Sequence, residues 1–367
     1  MVYSITFSPN GKQLTSGSLN NTLKIWDPVL RKCLQTLKGH SSSVRSVTFS
    51  ADGQQLASNS NNKTIKIWDP TSEKYIQVLG NHRNSVYLVT FSPDGQRLAS
   101  GSGDKTVKIW DPILGKCLQT LKEDQASVYS VYSIAFSPNS QRLALGFGYG
   151  NVEIWDPASG KYPQILRGHR NSIYSVTFSP DSQQLASGSL DNTVKIWDPT
   201  SIKCLQTLEG HCNSVYVVAS SPNGQRLTSG SGNRTVKIWD PVLGKCLQTL
   251  KGYSSAVRSV AFSTDGQWHA SGSNDKTVKI WDLVSGKCLQ TLKGHYSSVY
   301  SVSFSPNNLG DHGYYLGKDQ TWIICNGRNV LWLPPEYRPN CSAVQGRMVS
   351  IGCNSGRVFT IGFSYDV

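Results

Sequence analysis

Two sets of side chains in this 367-residue sequence have the composition of a hydrolytic triad. His82, Ser100 and Asp104 are followed by Trp110, and His169, Ser187 and Asp191 by Trp197, with identical spacings of 18, 4 and 6 residues. A histidine that takes a proton, a hydroxyl that attacks and a carboxylate that orients the imidazole are the parts of acyl transfer. The same spacing also suits a chain of buried hydrogen bonds, in which every polar group needs a partner. Partial copies elsewhere separate the two readings. His40 and His211 keep the histidine, but Asn62 and Asn233 replace the aspartate; Tyr253 replaces the histidine ahead of Asp275. One further copy has Glu123-Asp124-Gln125 and Tyr149 at the two places. A catalytic centre occurs once, whereas a device repeated with substitutions is structural. The sets are therefore expected to be hydrogen-bond networks and the chain not to be an enzyme. No acid, base or metal cluster stands outside the pattern, so no cofactor or metal is expected.

The elements that must position these side chains form a repeat. Ser189 to Asp198 reads Ser-Leu-Asp-Asn-Thr-Val-Lys-Ile-Trp-Asp, and near copies end at Trp26-Asp27, Trp68-Asp69, Trp110-Asp111, Trp155-Asp156, Trp239-Asp240 and Trp281-Asp282. The spacing is 42 residues, with one step of 45 between Trp110 and Trp155. In the second unit, Ser43 to Ser50 alternates apolar and polar residues, Asp52-Gly53 marks a turn, and Gln55 to Ser58 reads as a second strand. Thr64 to Trp68 is rich in β-branched residues, Asp69-Pro70 breaks it, and Tyr75 to Leu79 makes a fourth strand. No capping signal precedes a long helical pattern. A period of this length closing on Trp-Asp signals an all-β propeller of four-stranded blades sharing one apolar ring.

The bulk numbers are read against that lattice. A net charge of +13 invites nucleic acid or an anionic membrane. The lysines, however, fall in repeat columns: Lys24, Lys66, Lys108, Lys195, Lys237 and Lys279 two residues before the tryptophan, and Lys32, Lys74, Lys116, Lys161, Lys203, Lys245 and Lys287 in the turn after it. They are expected to form a solvated outer surface. Cys33, Cys117, Cys204, Cys246 and Cys288 share another column, so they should not pair with one another and are expected to be buried structural thiols. The sequons at Asn20, Asn62 and Asn233 lie in a repeat turn. No export signal or membrane span is legible, and with reduced thiols this favours the cytoplasm and no membrane insertion.

Residues 1–305 resemble the WD-repeat family on these recurring motifs. The expected fold is a WD-repeat β-propeller with seven regular blades, a divergent eighth starting at Val299, and a partial ninth from residues 306–367. The resemblance implies that the first strand of each unit lines a central channel. It also implies that His, Ser, Asp and Trp form one network per blade. The fourth unit carries an insertion in Ser127 to Tyr132 and is expected to be the least rigid, lacking that clamp. The chain opens inside a first strand, which suggests a piece of a longer parent. After Phe304 the repeat fails, and Thr321 to Cys325, Val330 to Leu333, Met348 to Cys353 and Arg357 to Phe363 read as strands. The stretch Leu331-Trp332-Leu333-Pro334-Pro335-Glu336-Tyr337-Arg338-Pro339 resembles the terminal segment of sensor regions in fungal heterokaryon-incompatibility, NLR-like proteins. Those parents carry an upstream nucleotide-binding domain, and this chain has no Gly-x-x-x-x-Gly-Lys-Ser/Thr of its own.

One more column carries a binding hypothesis. The position 23 residues before each repeat tryptophan is Tyr3, Arg45, Tyr87, Tyr132, Tyr174, Tyr216 and Arg258, and Tyr300 is its equivalent in the eighth unit. The family's architecture places this position at the channel mouth. Tyr and Arg dominate binding hot spots, so the ring, with Tyr149 beside it, is the expected surface for a protein partner. The alternative is that these tyrosines pack between blades. The expected function is a non-catalytic protein-interaction scaffold or sensor module acting through the top face. An adaptor in an organelle-division or ubiquitin-ligase complex fits the repeats equally. A basic propeller binding RNA or DNA non-specifically is the remaining alternative, and the lightly basic loops disfavour it.

Overall fold

The computed structural model describes residues 1–28, 32–122, 130–161, 164–293, 297–304 and 306, and the strand backbones Tyr314–Leu316, Trp322–Cys325, Arg328–Trp332, Cys341–Gln345, Met348–Gly352 and Val358–Gly362. Seven four-stranded antiparallel blades span residues 2–37, 44–79, 86–121, 131–166, 173–208, 215–250 and 257–292. The sequence sets this layout locally. In blade two, strand Val44–Phe49 ends in a turn at Asp52, whose carboxylate accepts from Ser50 Oγ and the Gln54 N–H. The second turn places Lys63 at a φ of 70°, with Asn62 capping Thr64.

The apolar core lies between blades rather than within them. Leu23, Ile25 and Leu37 of blade one pack with Val44, Val47, Phe49, Leu56 and Trp68 of blade two. Ile65, Ile67 and Leu79 meet Val86, Val89, Phe91, Leu98 and Trp110 in the same way. No blade can bury its face alone, which couples the units into one ring. Close approach depends on a glycine in the second strand. A Cβ on Gly188 would lie 2.8 Å from Val215 Cγ1 of the next blade. Gly272 stands in the same relation to Val299, at 2.6 Å. Serines stitch the inner strands: Ser133 Oγ accepts the Val176 N–H at 2.9 Å and Ser259 Oγ the Val302 N–H at 3.0 Å.

Residues 298–304 lie between blade seven and blade one. Beyond the contacts of Val299 and Val302 with blade seven, Ser301 Oγ accepts the Ile5 N–H at 3.4 Å, and the Tyr300 and Tyr3 rings are 6.4 Å apart. Further on, Tyr314–Leu316, Trp322–Cys325 and Arg328–Trp332 form one three-stranded antiparallel sheet, and Cys341–Gln345, Met348–Gly352 and Val358–Gly362 another. The sequence reading missed Tyr314–Leu316 and Cys341–Gln345, which have few β-branched residues and exist as hairpin partners. Its extended link, residues 334–339, lies outside the described residues, as does most of the Leu331–Pro339 stretch.

Register irregularities recur at two places. At the start of the first strand, Ile173 pairs with Ser189 and Ser175 with Gly188, so Tyr174 is left over as a β-bulge. The same shift leaves over Tyr3, Arg45, Tyr87, Tyr132, Tyr216 and Arg258 in the other blades. In six blades a second bulge, between third and fourth strands, leaves over Leu34, Ile76, Leu118, Leu205, Leu247 and Leu289 at the exposed rim.

Two expected columns change character here. The cysteines are free thiols on the outermost strand, with Cys204, Cys246 and Cys288 exposed and Cys33 and Cys117 half-buried. Burial fails because the fourth strand is the rim and turns only one face inward. The lysines two residues before the tryptophan are not a solvated surface either: Lys66 and Lys108 are buried and the others half-buried. Their Nζ atoms reach across to the fourth strand, Lys108 to Thr120 at 2.8 Å and Lys195 to Thr207 at 2.8 Å.

Candidate functional site

The triad-like sets are closed networks. In blade three, His82 Nδ1 lies 2.9 Å from Asp104 Oδ2, His82 Nε2 lies 2.8 Å from Ser100 Oγ, and the Trp110 indole N–H donates to the same Oγ at 2.8 Å. Blade five repeats this with His169, Asp191, Ser187 and Trp197 at 2.8, 2.7 and 2.8 Å. Ser100 and Ser187 have no exposed surface, so no substrate can reach either hydroxyl. Burial acts to raise the pKa of Asp104 and of Asp191. Hydrogen bonds from the histidines, from Thr106 and Thr193, and from the Arg83 and Arg170 N–H groups outweigh it and hold both carboxyls below the usual range.

Blades two and six run a neutral version. His40 and His211 contact Ser58 and Ser229 at 2.8 and 2.7 Å, and His211 Nδ1 is 3.2 Å from Asn233 Oδ1. Without a carboxylate to offset it, burial pushes both imidazoles down to about 4. In blade seven the Tyr253 hydroxyl bonds Ser271 Oγ, which also accepts the Trp281 indole N–H at 2.8 Å.

Blade four corrects an expectation. It has a clamp, built from different residues. Tyr149 donates to Glu153 Oε1 at 2.9 Å, and the Trp155 indole N–H donates to Glu153 Oε2 at 2.9 Å. Glu153 is 1% exposed, and Leu145 fills the place of the missing serine. Tyr149 therefore faces into its own blade, packed on Phe147, and does not belong to the channel-mouth ring. The sequence held the signal: Glu153 reverses the charge of the lysine column. The positions 123–129, including the Glu123-Asp124-Gln125 segment and the first half of the Ser127 to Tyr132 stretch, lie outside the described residues.

The Tyr/Arg column meets in two runs, one from Tyr132 to Arg258 and one of Tyr300, Tyr3 and Arg45, with Tyr87 in neither among the described contacts. In the seven blades each member is the bulge residue of its first strand, and a bulge re-aims its side chain out of the pairing plane. Tyr132 stacks on Tyr174 at 4.9 Å, Tyr174 meets Tyr216 edge-on at 5.7 Å, and the Arg258 guanidinium lies 3.8 Å over Tyr216. On the other side Tyr300 neighbours Tyr3, and Arg45 lies 4.4 Å over Tyr3. Tyr87, Tyr132 and Tyr300 are 38%, 39% and 42% exposed, and the other members are half-buried. The rings of adjacent blades thus pack on one another while part of each side chain stays accessible. The neighbouring turn adapts to each member. Tyr87 lies over Gly103 and Tyr216 over Gly232, where an added Cβ would come within 3.1 and 3.3 Å of the rings. Arg45 instead meets Asn61 and donates to its Oδ1 at 3.0 Å through Nε.

The family model described as "WD domain, G-beta repeat" matches residues 1–27, 31–69, 73–111, 115–156, 160–198, 202–240, 244–282 and 286–309. Among curated proteins, the vegetative incompatibility protein HET-E-1 of Podospora anserina is 50% identical over 56 residues. That alignment covers 15% of this chain and 4% of the fungal protein, so the likeness spans a small part of either.

Proposed function

The chain belongs to the WD-repeat family, and we propose that this propeller is a non-catalytic recognition module that binds a protein partner at the mouth ringed by Tyr3, Arg45, Tyr87, Tyr132, Tyr174, Tyr216, Arg258 and Tyr300. One observation carries the proposal: in all seven blades the ring residue is the one left out of the ladder between the first and second strands. A side chain held at a bulge, half exposed and stacked on its neighbours, is rigid and accessible together. That combination lowers the entropic cost of binding. The likeness to part of a fungal incompatibility protein fits this reading of the chain as a recognition module within a longer protein. Residues 298–304, which occupy an inner-strand place after blade seven, support an eighth blade completed by strands from the tail.

The test is the double substitution Tyr174→Ala with Tyr216→Ala, followed by cross-linking capture and mass spectrometry. The variant is expected to lose the partners that the parent chain captures, with a melting temperature nearly unchanged. Capture equal to the parent's, or unfolding of the variant, would refute a contact role for the ring.

A further inference from the structure

The mouth is rich in hydrogen-bond donors that no acceptor answers. No Asp or Glu occupies the ring column in any unit. Among the described residues, no hydrogen bond joins the hydroxyls of Tyr87, Tyr132, Tyr174 or Tyr216 to the protein. The rings of Tyr132, Tyr174 and Tyr216 and the Arg258 guanidinium form one run of contacts. Burial raises the pKa of the Tyr174 hydroxyl, the nearby Tyr132 and Tyr216 hydroxyls raise it further, and Arg258 acts in the opposite sense.

The two arginines of the ring are in different states. Arg45 Nε is bonded to Asn61 Oδ1 at 3.0 Å. The equivalent atoms in blade seven, Arg258 Nε and Asn274 Oδ1, are both without a partner. Arg258 instead lies flat over the Tyr216 ring at 3.8 Å. A guanidinium stacked by its face keeps its in-plane N–H groups, and with Nε buried the edge that a carboxylate can match with two parallel bonds is the pair of Nη groups.

We propose that the mouth is a receptor for an acidic peptide segment, with an Asp or Glu carboxylate seated on Arg258 and the Tyr174 and Tyr216 hydroxyls. The stacked pair of Tyr132 and Tyr174 supplies a flat apolar wall for the side chain next to it. A nucleic acid is the poorer fit. It takes many separated cations along a backbone, and this mouth offers two guanidinium groups, one already bonded within the protein. The proposal rests on the reading of the mouth as the partner site, and the experiment keeps the two apart.

A displayed library of random peptides is selected on the full chain, and one enriched peptide is synthesised with a fluorescent label for polarisation titrations. Enrichment of Asp or Glu at one position is expected. Arg258→Gln, and separately Glu→Gln in the peptide, should each weaken binding about tenfold or more, as charge-assisted bidentate pairs do. The two changes together should cost little more than either alone. Arg45→Gln should have a much smaller effect. Thermal melts control for folding, and if Arg258→Gln unfolds, Arg258→Lys keeps the charge, loses the planar fork and is expected to weaken binding as well. Peptides selected without acidic enrichment, or an Arg258 variant that binds as the parent does, would overturn the proposal while leaving the mouth as the binding site. Peptide binding undiminished by Tyr174→Ala with Tyr216→Ala would overturn the mouth reading itself. Displacement of the peptide by a short single-stranded RNA at moderate salt would also overturn the proposal, in favour of nucleic acid.

Discussion

Replacing Asn233 by aspartate should make blade six less sensitive to acid. His211 is held neutral, its pKa pushed down by burial from 6.5 to about 4. The unfolded chain therefore binds a proton that the folded chain refuses between these values. The stability contributed by the neutral imidazole is complete above pH 6.5 and lost as pH falls toward 4. At about 1.4 kcal/mol per unit, the loss at pH 5 is about 2 kcal/mol. Asn233→Asp places a carboxylate where His211 Nδ1 now meets an amide oxygen at 3.2 Å, copying the His–Asp pairs of 2.9 and 2.8 Å in blades three and five. An adjacent carboxylate favours the protonated ring and raises its pKa. Urea melts of parent and variant at pH 7.5 and pH 5 read the effect. The variant should gain most at pH 5, with the two differences separated by about 1–2 kcal/mol. A stability difference that is the same at both pH values, or smaller at pH 5, would refute the assignment of burial as the cause.

Three other outcomes follow from the geometry. Asp191→Ala removes the acceptor for His169, Thr193 and the Arg170 N–H and should cost about 1–3 kcal/mol in urea melts, with Asn62→Ala costing less. Glu153→Ala leaves the Tyr149 hydroxyl and the Trp155 indole N–H without their present partner and should cost about 1–3 kcal/mol; a melt within error of the parent would mean that blade four does not depend on this clamp. Among the rim thiols, Cys204, Cys246 and Cys288 should be alkylated in the native protein faster than Cys33, and peptide mapping by mass spectrometry reads the order.

The repeat made the blades legible because its strongest columns are the ones the fold buries. Trp197, Ile196 and Val194 sit in the core between blades, so the phrase that recurs in the sequence is the phrase that packs. The histidine networks were legible for the same reason: a buried donor must be answered at a fixed offset. The Tyr/Arg column was visible as identity, but its bulge was not, since a bulge is a mismatch between two strands and neither strand records it alone. Cys204 was misjudged because a column of small apolar side chains does not say whether its strand is inside or at the rim. Glu153 was in plain sight as a sign change among lysines, yet its partner Tyr149 had been read as a surface residue.

The bulge also sets how freely the mouth can differ from blade to blade. Tyr174 contributes no rung to the ladder between the first and second strands, so exchanging its side chain leaves every rung in place. Blades two and seven demonstrate the exchange, with arginine at the same register shift and asparagine in the adjoining turn. Fold and mouth are thus written in separate alphabets on one circular template. Reordering the blades would spell a new pattern around the opening while the shared core between neighbours stayed the same.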